Sequence, residues 1–183
     1  MHLYNSILKA KILLNVIRTG WLLRGVPIPL AETVAEHSFL TAHVCLELSS
    51  KIKGVDVSKA ILYSLIHDLG EAFTGDLVKP IMKKYAQLID QLVLDIVSEN
   101  IDNPLIVELY RRFSLQTDVE AKLAKLCNYI ATIIIGAEYK SLGYGVDDII
   151  GSTCGEIKEI STVLGVEKEV KHLLSELQVN CPS

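Results

Sequence analysis

Tyr63-Ser64-Leu65-Ile66-His67-Asp68-Leu69-Gly70-Glu71-Ala72-Phe73-Thr74-Gly75-Asp76 is the stretch on which the reading of this chain turns. An apolar helical run ends in an imidazole beside a carboxylate, and two further acids, Glu71 and Asp76, follow. Burying so much titratable chemistry beside Leu65, Ile66 and Leu69 costs on the order of several kcal/mol unless something compensates it. A divalent cation is the natural compensator. His67 and Asp68 are ligand types for first-row metals, and Glu71 and Asp76 are then left for acid–base work. The stretch predicts a metal-dependent enzyme.

Outward from it, the apolar spacing is helical nearly everywhere, and strand-like alternation is almost absent. Leu3, Ile7, Ile12, Leu13 and Val16 predict a first helix ending near Gly20. Residues 21–34, with Pro27 and Pro29, read as an extended connection. A second helix is expected from Ala35 to Lys51, and a third, capped by Asp56 or Ser58, leads into His67-Asp68. Gly70 and Gly75 bracket a turn-rich segment. Pro80 belongs in the first turn of a long helix from Lys79 to Glu99, and Pro104 opens a shorter one. Thr117 or Asp118 caps a buried helix through Tyr139; if the cap is Thr117, Glu120 is its capping-box partner. Gly143 and Gly145 stop that helix, and two more follow, separated at Gly165. The expected fold is all-α, seven to nine helices in one domain over residues 1–183, with a core at about 10–140 and C-terminal helices at 146–179.

Bulk properties narrow the function. Half of the residues are hydrophobic and 22% charged, enough for a sizeable core. A formal net charge of −4 and the lack of a basic block argue against nucleic acid as the ligand. Lysines 9 and 11 break the N-terminal apolar run, so neither a signal peptide nor a membrane span is expected. Cys45, Cys127, Cys154 and Cys181 lie far apart with no CxxC pair and read as reduced thiols of a cytoplasmic protein. A mean hydropathy of +0.34 suits a homodimer or higher homo-oligomer burying apolar surface, although a core alone also accounts for it.

His37, in Glu32-Thr33-Val34-Ala35-Glu36-His37-Ser38, starts the second helix. A helix-borne His, a connection, then a helix ending His-Asp resembles the HD superfamily of metal-dependent phosphohydrolases. Arg18-Thr19-Gly20-Trp21, Val34-Ala35-Glu36-His37-Ser38, His67-Asp68-Leu69-Gly70-Glu71-Ala72 and Thr74-Gly75-Asp76-Leu77-Val78-Lys79-Pro80 are similar, in that order, to the 5′-deoxynucleotidase branch. The resemblance implies an HD-type helical bundle in which His37, His67 and Asp68 hold one divalent transition metal, with Co, Mn, Fe, Ni and Zn all open. It implies that Glu71 orients or deprotonates the metal-activated water and that Asp76 positions substrate or protonates the leaving 5′-oxygen. Arg18 meets the phosphate, Lys79 adds positive charge there, and Trp21 shapes the sugar pocket. The implied substrate is a small (deoxy)nucleoside 5′-monophosphate.

Without the resemblance, blander roles stay open. Glu71 and Asp76 also suit solvated caps around the two glycines, Arg18 a carboxylate partner, and Trp21 a core or interface aromatic. His2, His43 and His172 fit no ligand pattern. The sequence also departs from its relatives. Where they read like A-K-L-V-K-x-A-D, this chain has Ala121-Lys122-Leu123-Ala124-Lys125-Leu126-Cys127-Asn128, so the fourth ligand falls on Asn128. Asn128 either ligates through its neutral oxygen with weaker metal retention, or the chain is a non-catalytic nucleotide-binding homologue with a degenerate site.

Overall fold

The structure is a computed structural model that describes residues 4–181, the side chains of 79–83 excepted. His2, Leu3 and the Lys79 side chain therefore lie outside the described residues. Helices α1 (Asn5–Leu13), α2 (Thr19–Leu22), α3 (Val34–Ser49), α4 (Val57–Ile66) and α5 (Glu71–Thr74) come first. They are followed by α6 (Lys79–Asn100), α7 (Pro104–Ser114), α8 (Val119–Ser141), α9 (Asp147–Leu164) and α10 (Glu167–Glu176). Two of these, α2 and α5, are single turns of four residues; the longer ones agree with the expected all-α bundle.

Local signals explain most boundaries. Asp56 caps α4 by accepting from the Lys59 amide at 3.1 Å, Asn103 caps α7 ahead of Pro104, and Gly165 in the left-handed region (φ 66°) ends α9. At α8 the cap is Asp118, which accepts from the Ala121 amide at 2.9 Å. Glu120 is thus no capping-box partner. It accepts instead from the Asp56 amide at 3.2 Å and Lys59 Nζ at 3.1 Å, tying α8 to the start of α4.

The first helix departs most from expectation. It stops at Leu13, because the next residues leave the helix to pair with a distant segment. The Arg18 amide donates to Glu32 O at 3.0 Å, the Val34 amide to Val16 O at 2.8 Å, and Ile17 faces Thr33 in an antiparallel bridge. The connection after it is also less extended than its prolines suggest, since the end of α2 and turns at 23–25 and 28–30 occupy much of it.

Helix α8 is the axis of the fold, packed against α9, α3 and α4. Leu123, Leu126, Ile130 and Ile133 are fully buried along it; each such side chain contributes about 1.5–3 kcal/mol. A second apolar cluster, of Leu13, Val34, Leu69, Val97, Ile101 and Tyr110, gathers α1, α6 and α7 beyond the His67-Asp68 turn. Ile66 packs against both clusters, so the polar turn is held between two dry cores. Gly70 makes this possible: a Cβ there would run into Val93 of α6 and the Tyr110 hydroxyl of α7.

The cysteine reading needs correction. Cys154 of α9 and Cys181 form a disulfide across 27 positions, whereas Cys45 and Cys127 are buried free thiols. No sequence spacing announces the bond, because the chain must first turn through α10 to bring Cys181 back. Closing a loop of this size restricts the unfolded chain by about 2–4 kcal/mol. Replacing both cysteines by serine is therefore expected to lower the melting temperature by roughly 5–15 °C, as read by thermal unfolding of the variant beside the unmodified protein. No helix among the described residues is long and apolar enough to cross a membrane.

Candidate metal centre and active-site cleft

The centre is assembled from four separate parts of the chain. At the start of α3, Thr33 Oγ1 accepts from the Glu36 amide at 3.1 Å, while Glu36 Oε2 accepts from the Thr33 amide at 2.7 Å. This reciprocal cap fixes the first turn and turns His37 inward, where it is fully buried. Helix α4 ends at Ile66, and the chain continues in tighter turns. The Glu71 amide donates to Asp68 O at 3.0 Å, three residues back, in keeping with the turn-rich segment expected from Gly70. His67, Asp68 and Glu71 line one cavity, because the tighter path keeps the same hand.

The donor atoms of His37, His67 and Asp68 all lie within 4.8 Å of one another. His67 Nδ1 sits 2.8 Å from Ser64 O and donates to it, which leaves Nε2 with a lone pair. That Nε2 is buried without a hydrogen bond, yet lies 2.9 Å from Asp68 Oδ2. Two electron-rich atoms facing each other in a closed site fit a cation between them. Asn128 Oδ1 lies 2.9 Å from His37 Nε2, so α8 delivers the fourth expected residue as a neutral oxygen. These residues fit a divalent metal.

Charge is arranged to match. Burial pushes Asp68 up, but His67 beside it and the Arg18 guanidinium outweigh it and hold the carboxyl well below its usual range. Burial, with Arg18 beside it, holds His37 below the ordinary histidine value, so the ring is neutral. Glu71 goes the other way. Burial and the charges of Asp68 and Asp76 raise it well above a normal carboxyl, and its Oε2 is buried without a hydrogen-bond partner. Asp76 is raised mainly by burial and accepts the Thr19 amide through Oδ2; Thr19 Oγ1 donates to its backbone oxygen at 3.1 Å. Asp76 therefore pins the Arg18–Trp21 segment against the entrance of α6.

Two cavities meet at Asp68, Glu71, Leu77 and Asn128. One, of about 220 Å³, also touches His67, Tyr110 and Lys125. The other, of about 280 Å³, carries Arg18, Arg24, Trp21, Asp76 and Tyr129. Two guanidinium groups around one cavity, beside Asp68 and Asn128, can receive an anion. Arg18 does have a carboxylate partner, Glu32, 3.2 Å from its Nη1, and the same nitrogen donates to Thr132 Oγ1 at 3.3 Å. Trp21 is a core aromatic and a cavity wall at once: it is 2% exposed, and its Nε1 donates to Glu32 Oε2 at 3.1 Å.

Of the residues singled out from sequence, the structure brings together Arg18, Trp21, His37, His67, Asp68, Glu71, Asp76 and Asn128. His43 and His172 are exposed, away from the cluster. Sequence reasoning passed over Glu32, Tyr110, Lys125 and Tyr129. The one usable signal was Glu32 standing immediately before the capping Thr33, an acid the cap itself does not use.

A family model described as HD domain matches residues 10–160 of this chain. The protein named 5′-deoxynucleotidase HDDC2 of Bos taurus is 26% identical over 173 residues, covering 90% of this chain and 78% of the relative. Its counterpart of the same name in Homo sapiens is 25% identical with the same coverage. Among solved structures, a conserved hypothetical protein from Pyrococcus furiosus matches with a TM-score of 0.79 and 27% identity, covering 94% of this chain and 97% of that one. The PH0347 protein of Pyrococcus horikoshii OT3 matches with a TM-score of 0.77 and 27% identity, covering 94% and 96%. The matched span takes in every part of the chain that builds the centre, and this chain belongs to the HD domain family.

Proposed function

We propose that this chain is a metal-dependent phosphohydrolase that releases phosphate from nucleoside 5′-monophosphates, with preference for deoxyribose. The observation that carries the reading is Glu71: a half-buried carboxyl of raised pKa whose Oε2 has no hydrogen-bond partner, beside the candidate metal cluster and open to a cavity with two arginines. Membership of the family and relatives named 5′-deoxynucleotidase support the same reaction class.

His37, His67, Asp68 and Asn128 would hold one divalent ion of the first transition row. When bound, such an ion neutralises phosphate charge and lowers the pKa of a water toward ~7. Glu71, with Oε2 free of other partners, takes the proton of the attacking water. The Arg18 bonds to Glu32 and Thr132 leave from Nη1, so its other donors are left to meet the phosphate. Asp76 holds the Arg18 segment in place through Thr19 and delivers a proton to the leaving 5′-oxygen. Trp21, locked by Glu32, gives the sugar a rigid wall that disfavours a 2′-hydroxyl.

One observation favours a second reading. Asn128 brings no negative charge to the ion, which suits a nucleotide-binding homologue with a degenerate site. Phosphate release from deoxynucleoside 5′-monophosphates, with cobalt or manganese in excess, separates the two. Release is the expected result, with ribonucleotides turned over more slowly. Absence of release for every base removes the enzyme reading. Activity gained by Asn128→Asp would then identify the missing carboxylate as the defect.

A further inference from the structure

We propose that Glu32 is the positioning residue of His37: its Oε1 accepts the Nδ1 proton and thereby fixes Nε2 as the nitrogen that faces the metal. The inference deepens the reading above and rests on His37 being a ligand.

Glu32 is 6% exposed and held from several sides. Its amide donates to the Tyr139 hydroxyl at 2.9 Å, that hydroxyl donates to Leu30 O at 2.8 Å, and its carbonyl accepts the Arg18 amide at 3.0 Å. The two carboxylate oxygens then divide their work. Oε2 accepts from Trp21 Nε1 at 3.1 Å and Arg18 Nη1 at 3.2 Å. Oε1 is buried with no hydrogen bond, 3.5 Å from His37 Nδ1. A buried carboxylate oxygen without a donor is costly, and the ring nitrogen is the donor within reach.

His37 has two neutral forms, and its neighbours compete over them. With the proton on Nε2, the ring donates to Asn128 Oδ1 at 2.9 Å and its Nδ1 accepts from Arg18 Nη1 at 3.0 Å. That form closes the ligand nitrogen. With the proton on Nδ1, the ring donates to Glu32 Oε1, and Nε2 turns its lone pair to the centre beside Asn128 and His67. A carboxylate behind a ligating histidine selects the second form and makes the ring a stronger ligand. Glu32 thus joins the metal ligand, the phosphate arginine and the sugar-wall tryptophan in one buried group.

Glu32→Gln tests this with little change of shape. Arg18 and Trp21 are both donors, so the carboxamide must turn its oxygen to them and its NH₂ to His37 Nδ1. The ring is then forced into the form with Nε2 protonated. In long-range ¹H–¹⁵N spectra with zinc as a diamagnetic probe, the unmodified protein is expected to show His37 with Nδ1 protonated and zinc on Nε2. Glu32→Gln should move the metal-free ring to the opposite tautomer and weaken zinc binding about 10–100-fold.

A folded Glu32→Gln with unchanged tautomer and zinc affinity overturns the proposal, as does zinc on Nδ1 or no zinc binding in the unmodified protein. If the variant does not fold, the unmodified protein's spectrum decides alone. Neither readout requires turnover. Zinc on Nε2 without phosphate release would keep the Glu32 assignment and remove the nucleotidase reading.

Discussion

Glu71→Gln is expected to lower kcat by about 10²–10⁴-fold, the usual contribution of a positioned general base, while bound metal and KM change little. The carboxamide keeps the shape of the side chain but cannot take a proton. Glu71 lies outside the set whose donor atoms converge within 4.8 Å, so its loss should leave the ion in place. Burial and the Asp68 and Asp76 charges raise its pKa, so a neutral amide also removes a repulsion the folded protein otherwise bears. The variant should be at least as stable as the parent. Metal content, steady-state kinetics and a melting curve on one preparation check all three. Metal lost together with activity would make Glu71 a ligand and displace the proposed division of roles.

Asp68→Ala is expected to act at the other point, abolishing activity by removing the ion. With Asn128 neutral, Asp68 carries the one negative charge among the four proposed ligands. Its neighbours hold it ionised despite burial, which is the state a cation needs. Without it two neutral imidazoles and an amide oxygen remain, and Arg18 stands close by without that counter-charge. The loss of affinity should exceed the ~10–100-fold that removing a partner behind a ligand costs. Metal analysis after gel filtration, with circular dichroism to confirm folding, gives the answer. Metal retained at the parent's stoichiometry would break the ligand assignment. The two variants together separate chemistry from metal retention, which neither does alone.

Much of this is legible in the sequence. Helices α3, α4 and α6 to α10 begin and end near their caps, prolines and glycines, because capping and 3.6-residue periodicity act between neighbours in the chain. His67-Asp68 announced itself for a related reason: a titratable pair at the end of an apolar run demands compensation wherever the run is buried. The placement of Asn128 also followed from the chain, since one unbroken helix carries it from Asp118 to Tyr139 without a shift of register.

What stayed hidden depends on segments far apart in sequence. Periodicity carried the first helix past Leu13, but pairing of residues 16–18 with 32–34 wins there, since it satisfies backbone groups a helix would have bonded locally. That same pairing sets Arg18 beside Glu32 and makes Glu32 the shared partner of Arg18, Trp21 and His37. Cys154–Cys181 and the Glu120–Lys59 tie across 61 positions arise the same way. The sequence by itself determined most of the helices and the departure at Asn128, because caps, periodicity and register are written in neighbouring residues. The tertiary structure alone decided which oxygen meets which nitrogen, because burial sets that choice and burial belongs to the packed whole.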